Sequence, residues 1–154
     1  MLVIGENISV TATAIGNAIK ERDAKPLVEM AKAQAQAGAN YIDVNIGPAT
    51  RDGEDLMQWV VKSIQDEVDL PLALDTKNMS AIEAGLKVHK GKGMINSVTG
   101  DQEKLDVLMP MAKEYNAKIV GIALTDKGVP PDVDSRLEIA MNIVSSAMEH
   151  GVPM

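Results

Sequence analysis

The sequence predicts an α/β fold with a parallel sheet, and three observations carry that prediction. Five apolar runs of strand length recur along the 154 residues: 2-LVIG-5, 41-YIDVNI-46, 70-LPLAL-74, 93-GMI-95 with its flanks, and 117-AKIVGIAL-124. The runs are continuous rather than alternating apolar and polar, as in strands buried on both faces. The longer segments between them have helical period. Five β-then-α units in a row give a parallel sheet with right-handed crossovers. An open doubly wound sheet accepts five units outright. A TIM (β/α)8 barrel needs eight units and about 250 residues. After Gly151 only Val152, Pro153 and Met154 remain, and they read as a strand about to begin. The expectation is therefore the first five βα units of a (β/α)8 barrel, an N-terminal fragment of a single domain over 1–154, truncated before strand 6.

Each element has its own signal. The stretch 11–23 is ambiguous and reads as a loop with a short helix, ahead of a helix over 25–37 closed by Gly38. Over 54–68, Met57, Val60, Val61, Ile64 and Val68 form one helical stripe. Asn78, or Ser80 with Glu83, starts a helix over about 80–90. Pro110 lies inside a helix over 102–116, to be bent there or begun there. Ser135 with Glu138 repeats the capping pattern for a helix over 135–150, where Leu137, Ala140, Met141, Val144, Ala147 and Met148 make the core-facing stripe. Gly151 closes it.

Composition limits function. The chain is 45% hydrophobic and 24% charged, with net charge −7 and 2% aromatic residues. No basic stripe faces a phosphate backbone, and bases have few platforms to stack on, so nucleic acid is not an expected partner. Lys87, Lys90 and Lys92 read as a solvated helix end. There is no cysteine, no apolar run of about 18 residues, and no basic n-region at the start. A cytoplasmic protein that contacts no membrane is expected. No metal-ligand spacing and no glycine-rich phosphate motif follows a strand, so no metal site is expected. His89 and His150 read as cations near helix C-termini.

Polar residues mark the strand ends, the edge that carries active sites in both candidate folds. The first strand ends in Glu6-Asn7, the third in Asp75-Thr76, the fourth in Asn96-Ser97 and the fifth in Thr125-Asp126. Asp43 and Asn45 interrupt the second at i and i+2 and so share a face. Each has a plain structural reading: Asp75 or Asn78 as a cap, Asn96 and Ser97 as loop residues, Asp43 and Asn45 as a buried network. Asn78 or Ser80 can cap the helix, which leaves Asp75 free. Together the set describes a pocket rich in carboxylates and amides. A carboxylate accepts from two parallel N–H donors, and an amide offers one donor and one acceptor. An amino-pyrimidinone ring such as a pterin meets both, and a purine-like base nearly as well.

At 4-IGENI-8, 37-AGANYIDVNIGP-48, 72-LALDTKN-78, 81-AIEAGLK-87, 94-MINSVTG-100 and 115-YNAKIVGIALTDKGVP-130 the sequence resembles the pterin-binding methyltransferases. These move the methyl group of methyltetrahydrofolate to or from the cobalt of a corrinoid protein. The likeness covers nearly the whole chain and extends to the methyltransferase serving a corrinoid iron–sulfur protein. It implies a (β/α)8 barrel, methyltetrahydrofolate as substrate, a corrinoid supplied by the partner protein, and a homodimer. It implies that Asp75 and Asn96 hydrogen-bond the pterin ring and that Glu6 lines the same mouth. Asp43, Asn45, Asn7 and Ser97 then support that shell. It also places a further aspartate, and the asparagine that activates N5, beyond residue 154. The 126-DKGVPPD-132 loop becomes a candidate lining for the corrinoid's approach. Two alternatives stay open: dihydropteroate synthase, whose loop Thr50-Arg51 resembles, and a non-catalytic pterin-binding fragment.

Overall fold

The structure is a computed structural model that describes residues 1–49 and 51–153. Five strands alternate with helices: β1 (Ile4–Ser9), α1 (Thr13–Glu21), α2 (Ala24–Gln36), β2 (Tyr41–Asn45), α3 (Gly53–Gln65), β3 (Leu72–Asp75), α4 (Met79–Val88), β4 (Met94–Val98), α5 (Gln102–Glu114), β5 (Lys118–Gly121) and α6 (Val133–Glu149). All neighbours pair in parallel, and the sheet order is β1-β2-β3-β4-β5. A doubly wound sheet reverses its order at a switch point. This sheet never reverses, so it is a sector of a barrel.

The two faces of the sheet do different work. Ile8, Ile42, Val44, Leu72, Leu74 and Ile95 point to the helix layer and form the main core with it. Met57, Val60, Val61 and Ile64 of α3 are fully buried there, as their spacing predicts. The opposite face carries Tyr41, Ala73 and Met94 with Ile4 and Val120 packed against them. That face continues upward into the polar strand ends.

Several boundaries differ from the sequence reading. β1 runs on through Glu6 and Asn7, where its register against β2 shifts between Gly5 and Ile8. The ambiguous stretch holds a nine-residue helix, α1. α5 continues through Pro110, which does not begin it. β5 stops at Gly121, so Thr125 and Asp126 lie in the following loop rather than at a strand end. Asp132, not Ser135, caps α6: its carboxylate accepts from the Ser135 N–H at 2.8 Å.

The α6 stripe is the largest correction. Leu137, Met141 and Met148 are 57%, 61% and 68% exposed, while Ile143 and Ala147 are buried. Helical period states which residues share a face. It does not state which face a neighbour covers. His89 is corrected too: its Nε2 accepts the Leu72 N–H at 2.9 Å, so the ring is a neutral acceptor at the start of β3 and not a cation. Burial holds its pKa below the usual histidine value. Of the last three residues, Val152 is buried and Met154 lies outside the described residues, as does Thr50 of the Thr50-Arg51 pair.

Candidate active site

The site begins with strand register. Asn45 stands beside Asp75, and Asp75 beside Asn96, so three polar side chains form one rung across β2, β3 and β4. Ser9 extends the rung on β1. Asp43 sits one step below on the same face, because side chains alternate with period two. Its neighbour on β3 is Ala73, whose methyl group leaves space above it. Across that gap the Asn96 Nδ2 donates to the Asp43 Oδ2 at 2.8 Å. The second pair lies above: Asn45 Nδ2 donates to Asp75 Oδ2 in a short hydrogen bond. Asn45 Oδ1 accepts the Gly47 N–H at 2.9 Å, which fixes the orientation of its amide.

The two pairs settle which atoms remain for a ligand. Asp75 has one carboxylate oxygen with no partner among the described residues, and Asn96 has its Oδ1 and one N–H. Both are half-buried and border a cleft of about 220 Å³ that Met79, Ile82 and Leu108 line from α4 and α5, with Lys77, Thr99 and Lys104. Asp43, 3% exposed, is out of reach and holds Asn96 from beneath. Glu6 and Asn7 are exposed at the β1 irregularity. Glu6 bonds to neither pair, yet its charge acts on both aspartates.

Burial dominates the electrostatics. It pushes the Asp43 carboxyl up to about 7; the bond from Asn96 works against this, and the charges of Asp75 and Glu6 add to it. Asp75 is raised as well, by burial first, with the Asn45 bond opposing and Glu6 reinforcing. Asp43 thus titrates near neutrality. Among the described residues, no group of three His, Asp or Glu side chains could hold a metal ion.

Loop contacts keep the rung in place. Thr76 Oγ1 donates to the Gly47 carbonyl at 2.6 Å, and Asn78 Nδ2 to the Ala49 carbonyl at 2.8 Å. Asn78 Oδ1 accepts the Ala81 N–H and so caps α4. Asp75 therefore has no capping duty. Sequence reasoning missed a second set of residues at the next loop. Asp101 accepts from Thr99 Oγ1, from Lys104 Nζ at 2.8 Å and from the Asp126 N–H at 3.0 Å. This ties the 126–132 loop to the end of β4. The only signal in the sequence was Asp101 three residues before Lys104, a spacing common on any helix.

Comparison with known proteins identifies the family and the fold. A family model described as "Pterin binding enzyme" matches residues 7–153. A methylcorrinoid:tetrahydrofolate methyltransferase from Eubacterium limosum is 30% identical over 154 residues, which is 99% of this chain and 57% of that protein. The chain thus spans little more than half the length of this relative. The fold is similar to that of dihydropteroate synthase from Clostridium difficile, with a TM-score of 0.73 at 23% identity, covering 99% of this chain and 60% of that one. Dihydropteroate synthase from Xanthomonas albilineans gives a TM-score of 0.64 at 19% identity, over 99% and 55% of the two chains.

Proposed function

The chain belongs to the pterin binding enzyme family, and from that premise we propose that it serves methyl transfer between N5 of tetrahydrofolate and the cobalt of a corrinoid protein. The observation that carries the reading is the Asn45–Asp75–Asn96 rung, in which one Asp75 oxygen and the Asn96 Oδ1 have no hydrogen-bond partner among the described residues. The relative named as a methylcorrinoid:tetrahydrofolate methyltransferase supports it over the other chemistries of the family.

In this reading Asp75 accepts the parallel ring N–H and amino N–H of the pterin, a charge-assisted pair. Asn96 supplies an acceptor and a donor at the adjacent ring edge. Asp43 and Asn45 hold those two side chains in the orientation that leaves these atoms available. The partner corrinoid supplies the cobalt that takes or gives the methyl group. When methyl leaves N5, the electron pair of the C–N bond stays on nitrogen and a proton is taken up there. Assistance to that protonation is worth about 10²–10⁴-fold. Glu6, Asp43 and Asp75 make the mouth electronegative, which favours a protonated nitrogen beside them.

The test is titration of methyltetrahydrofolate against Asp75→Ala and Asn96→Ala. Losing one hydrogen-bonding partner of a buried polar group costs about 1–3 kcal/mol, so each variant should bind at least about fivefold more weakly. Unchanged affinity in both would sink the pterin assignment. Turnover with p-aminobenzoate and no corrinoid would keep the pterin site and replace methyl transfer by dihydropteroate synthesis.

A further inference from the structure

The two amides of the rung are held in different ways. Asn45 is fixed at both ends of its amide: Nδ2 donates to Asp75 and Oδ1 accepts the Gly47 N–H. Asn96 is fixed at one end only. Among the described residues its side chain has a single hydrogen bond, from Nδ2 to the Asp43 Oδ2 at 2.8 Å. That bond reaches past Ala73 between strands that are not neighbours, and Asp43 is 3% exposed. The carboxyl of Asp43 therefore decides which way the Asn96 amide faces. An ionised carboxylate only accepts. It takes an N–H from Asn96 and leaves Oδ1 and the second N–H free. A protonated carboxyl carries an O–H and can donate it to Oδ1. The amide is then turned over, with two N–H groups free and no acceptor.

We infer that Asp43 is a positioning residue whose protonation state sets the donor–acceptor polarity of the Asn96 amide, and through it how tightly a pterin ring is held. This rests on the pterin reading and adds to it a pH-dependent selection at one of the ring's two contacts. The groups around Asp43 put its titration in a useful range. Burial raises it to about 7, the Asn96 bond opposes, and the charges of Asp75 on β3 and Glu6 on β1 reinforce. On β5, the Lys118 ammonium stands over the Tyr41 ring at 5.2 Å, and the Tyr41 hydroxyl donates to the Lys92 carbonyl at 3.0 Å. Neither Lys118 nor Tyr41 bonds to Asp43. A ligand that needs the Oδ1 acceptor and one N–H meets the matching amide above pH 7 and a mixed population below it.

The experiment titrates methyltetrahydrofolate at pH 6 and pH 8 against wild type, Asp43→Asn, Asn96→Ala and the double variant, as a mutant cycle. Asp75, Glu6 and the ligand itself titrate in all four, so their shared pH response cancels in the comparison. One misdirected hydrogen bond is worth about 1 kcal/mol, or about fivefold in affinity. From pH 6 to pH 8, wild type should gain about fivefold more affinity than Asp43→Asn does. Asn96→Ala and the double variant should respond to pH alike, within about twofold. Equal pH responses of wild type and Asp43→Asn overturn the inference. So does an effect of Asp43→Asn that is the same with and without the Asn96 amide, because the Asp43 charge would then act on the ligand directly. Should Asp43→Asn fail to fold, wild type against Asn96→Ala decides: the same fivefold difference is expected there, and equal pH responses overturn the inference. In each of these outcomes the ligand still binds and the pterin reading stands. If wild type binds at neither pH, that reading falls and the inference with it.

Discussion

Asp43 carries a carboxyl at a depth where its charge is disfavoured, and this fixes the sign of one pH effect. Its folded pKa lies near 7, above the ordinary value of 3.8. Between those limits the folded state holds more protons than the unfolded chain, so the Asp43 contribution falls as pH rises from about 4 to 7 and is fully unfavourable above that. Asp43→Asn keeps an acceptor for Asn96 and removes the titration. The variant should match wild type in denaturant melts at pH 4 and exceed it at pH 8. Equal stability at both values would mean that Asp43 is ionised without cost. His89 slopes the other way: its lowered pKa means that stability is lost as pH falls below about 6.5, when the ring must charge and release the Leu72 N–H. His89→Leu should flatten that acid limb while lowering stability at pH 7, in the same melts. The shared face of Asp43 and Asn45 was legible in their spacing alone. That Asp43 would reach past β3 to Asn96 was not, since it depends on register and on the small side chain of Ala73 between them.

Helices and loops set how firmly the rung is held. Asn78 caps α4 through the Ala81 N–H and grips the Ala49 carbonyl across the neighbouring loop. Asn78→Ala removes both, and a lost N-cap alone costs about 0.5–2 kcal/mol. A fall of that size in thermal or urea melts is expected, and under the proposed pterin reading methyltetrahydrofolate affinity falls with it, because Asp75 is less well held. Gly85 allows α4 to approach the sheet and α3: a Cβ there would lie 2.6 Å from Met57 Cγ and 2.8 Å from Leu74 Cδ1, both fully buried residues. Gly85→Ala should destabilise by about 1–3 kcal/mol, the usual penalty of overpacking, despite the better helix propensity of alanine. Stability equal to or above wild type would show that Met57 can move aside. The α3 stripe was readable because everything on it is covered. The α6 stripe was misread because Leu137, Met141 and Met148 stay exposed while Ile143 and Ala147 are covered.

Over the whole molecule, sequential strand order distinguishes the barrel sector from a doubly wound sheet, a choice the five-unit count left open. Such a sector leaves β1 and β5 as edges. Beside β1 the Gln34 amide is buried, and neither Nε2 nor Oε1 has a partner among the described residues. An unpaired buried amide costs about 1–3 kcal/mol, so Gln34→Leu should raise the urea midpoint of this chain. A lower midpoint would show that the amide has a partner in solution. No feature of the sequence announced that cost, because a glutamine on a helix is ordinarily solvated.

The Asn45–Asp75–Asn96 rung exists only when three strands are aligned, since a slip of one residue would turn Asp75 toward the helices. A molecule that binds Asp75 and Asn96 together therefore binds the aligned sheet and not its competitors. By mass action, ligand at a hundred times its dissociation constant would add about 2.7 kcal/mol to the folded state. The same three side chains proposed to choose a ligand would then let that ligand favour correct assembly of the strands, so that ligand concentration becomes a determinant of how much of the chain is folded.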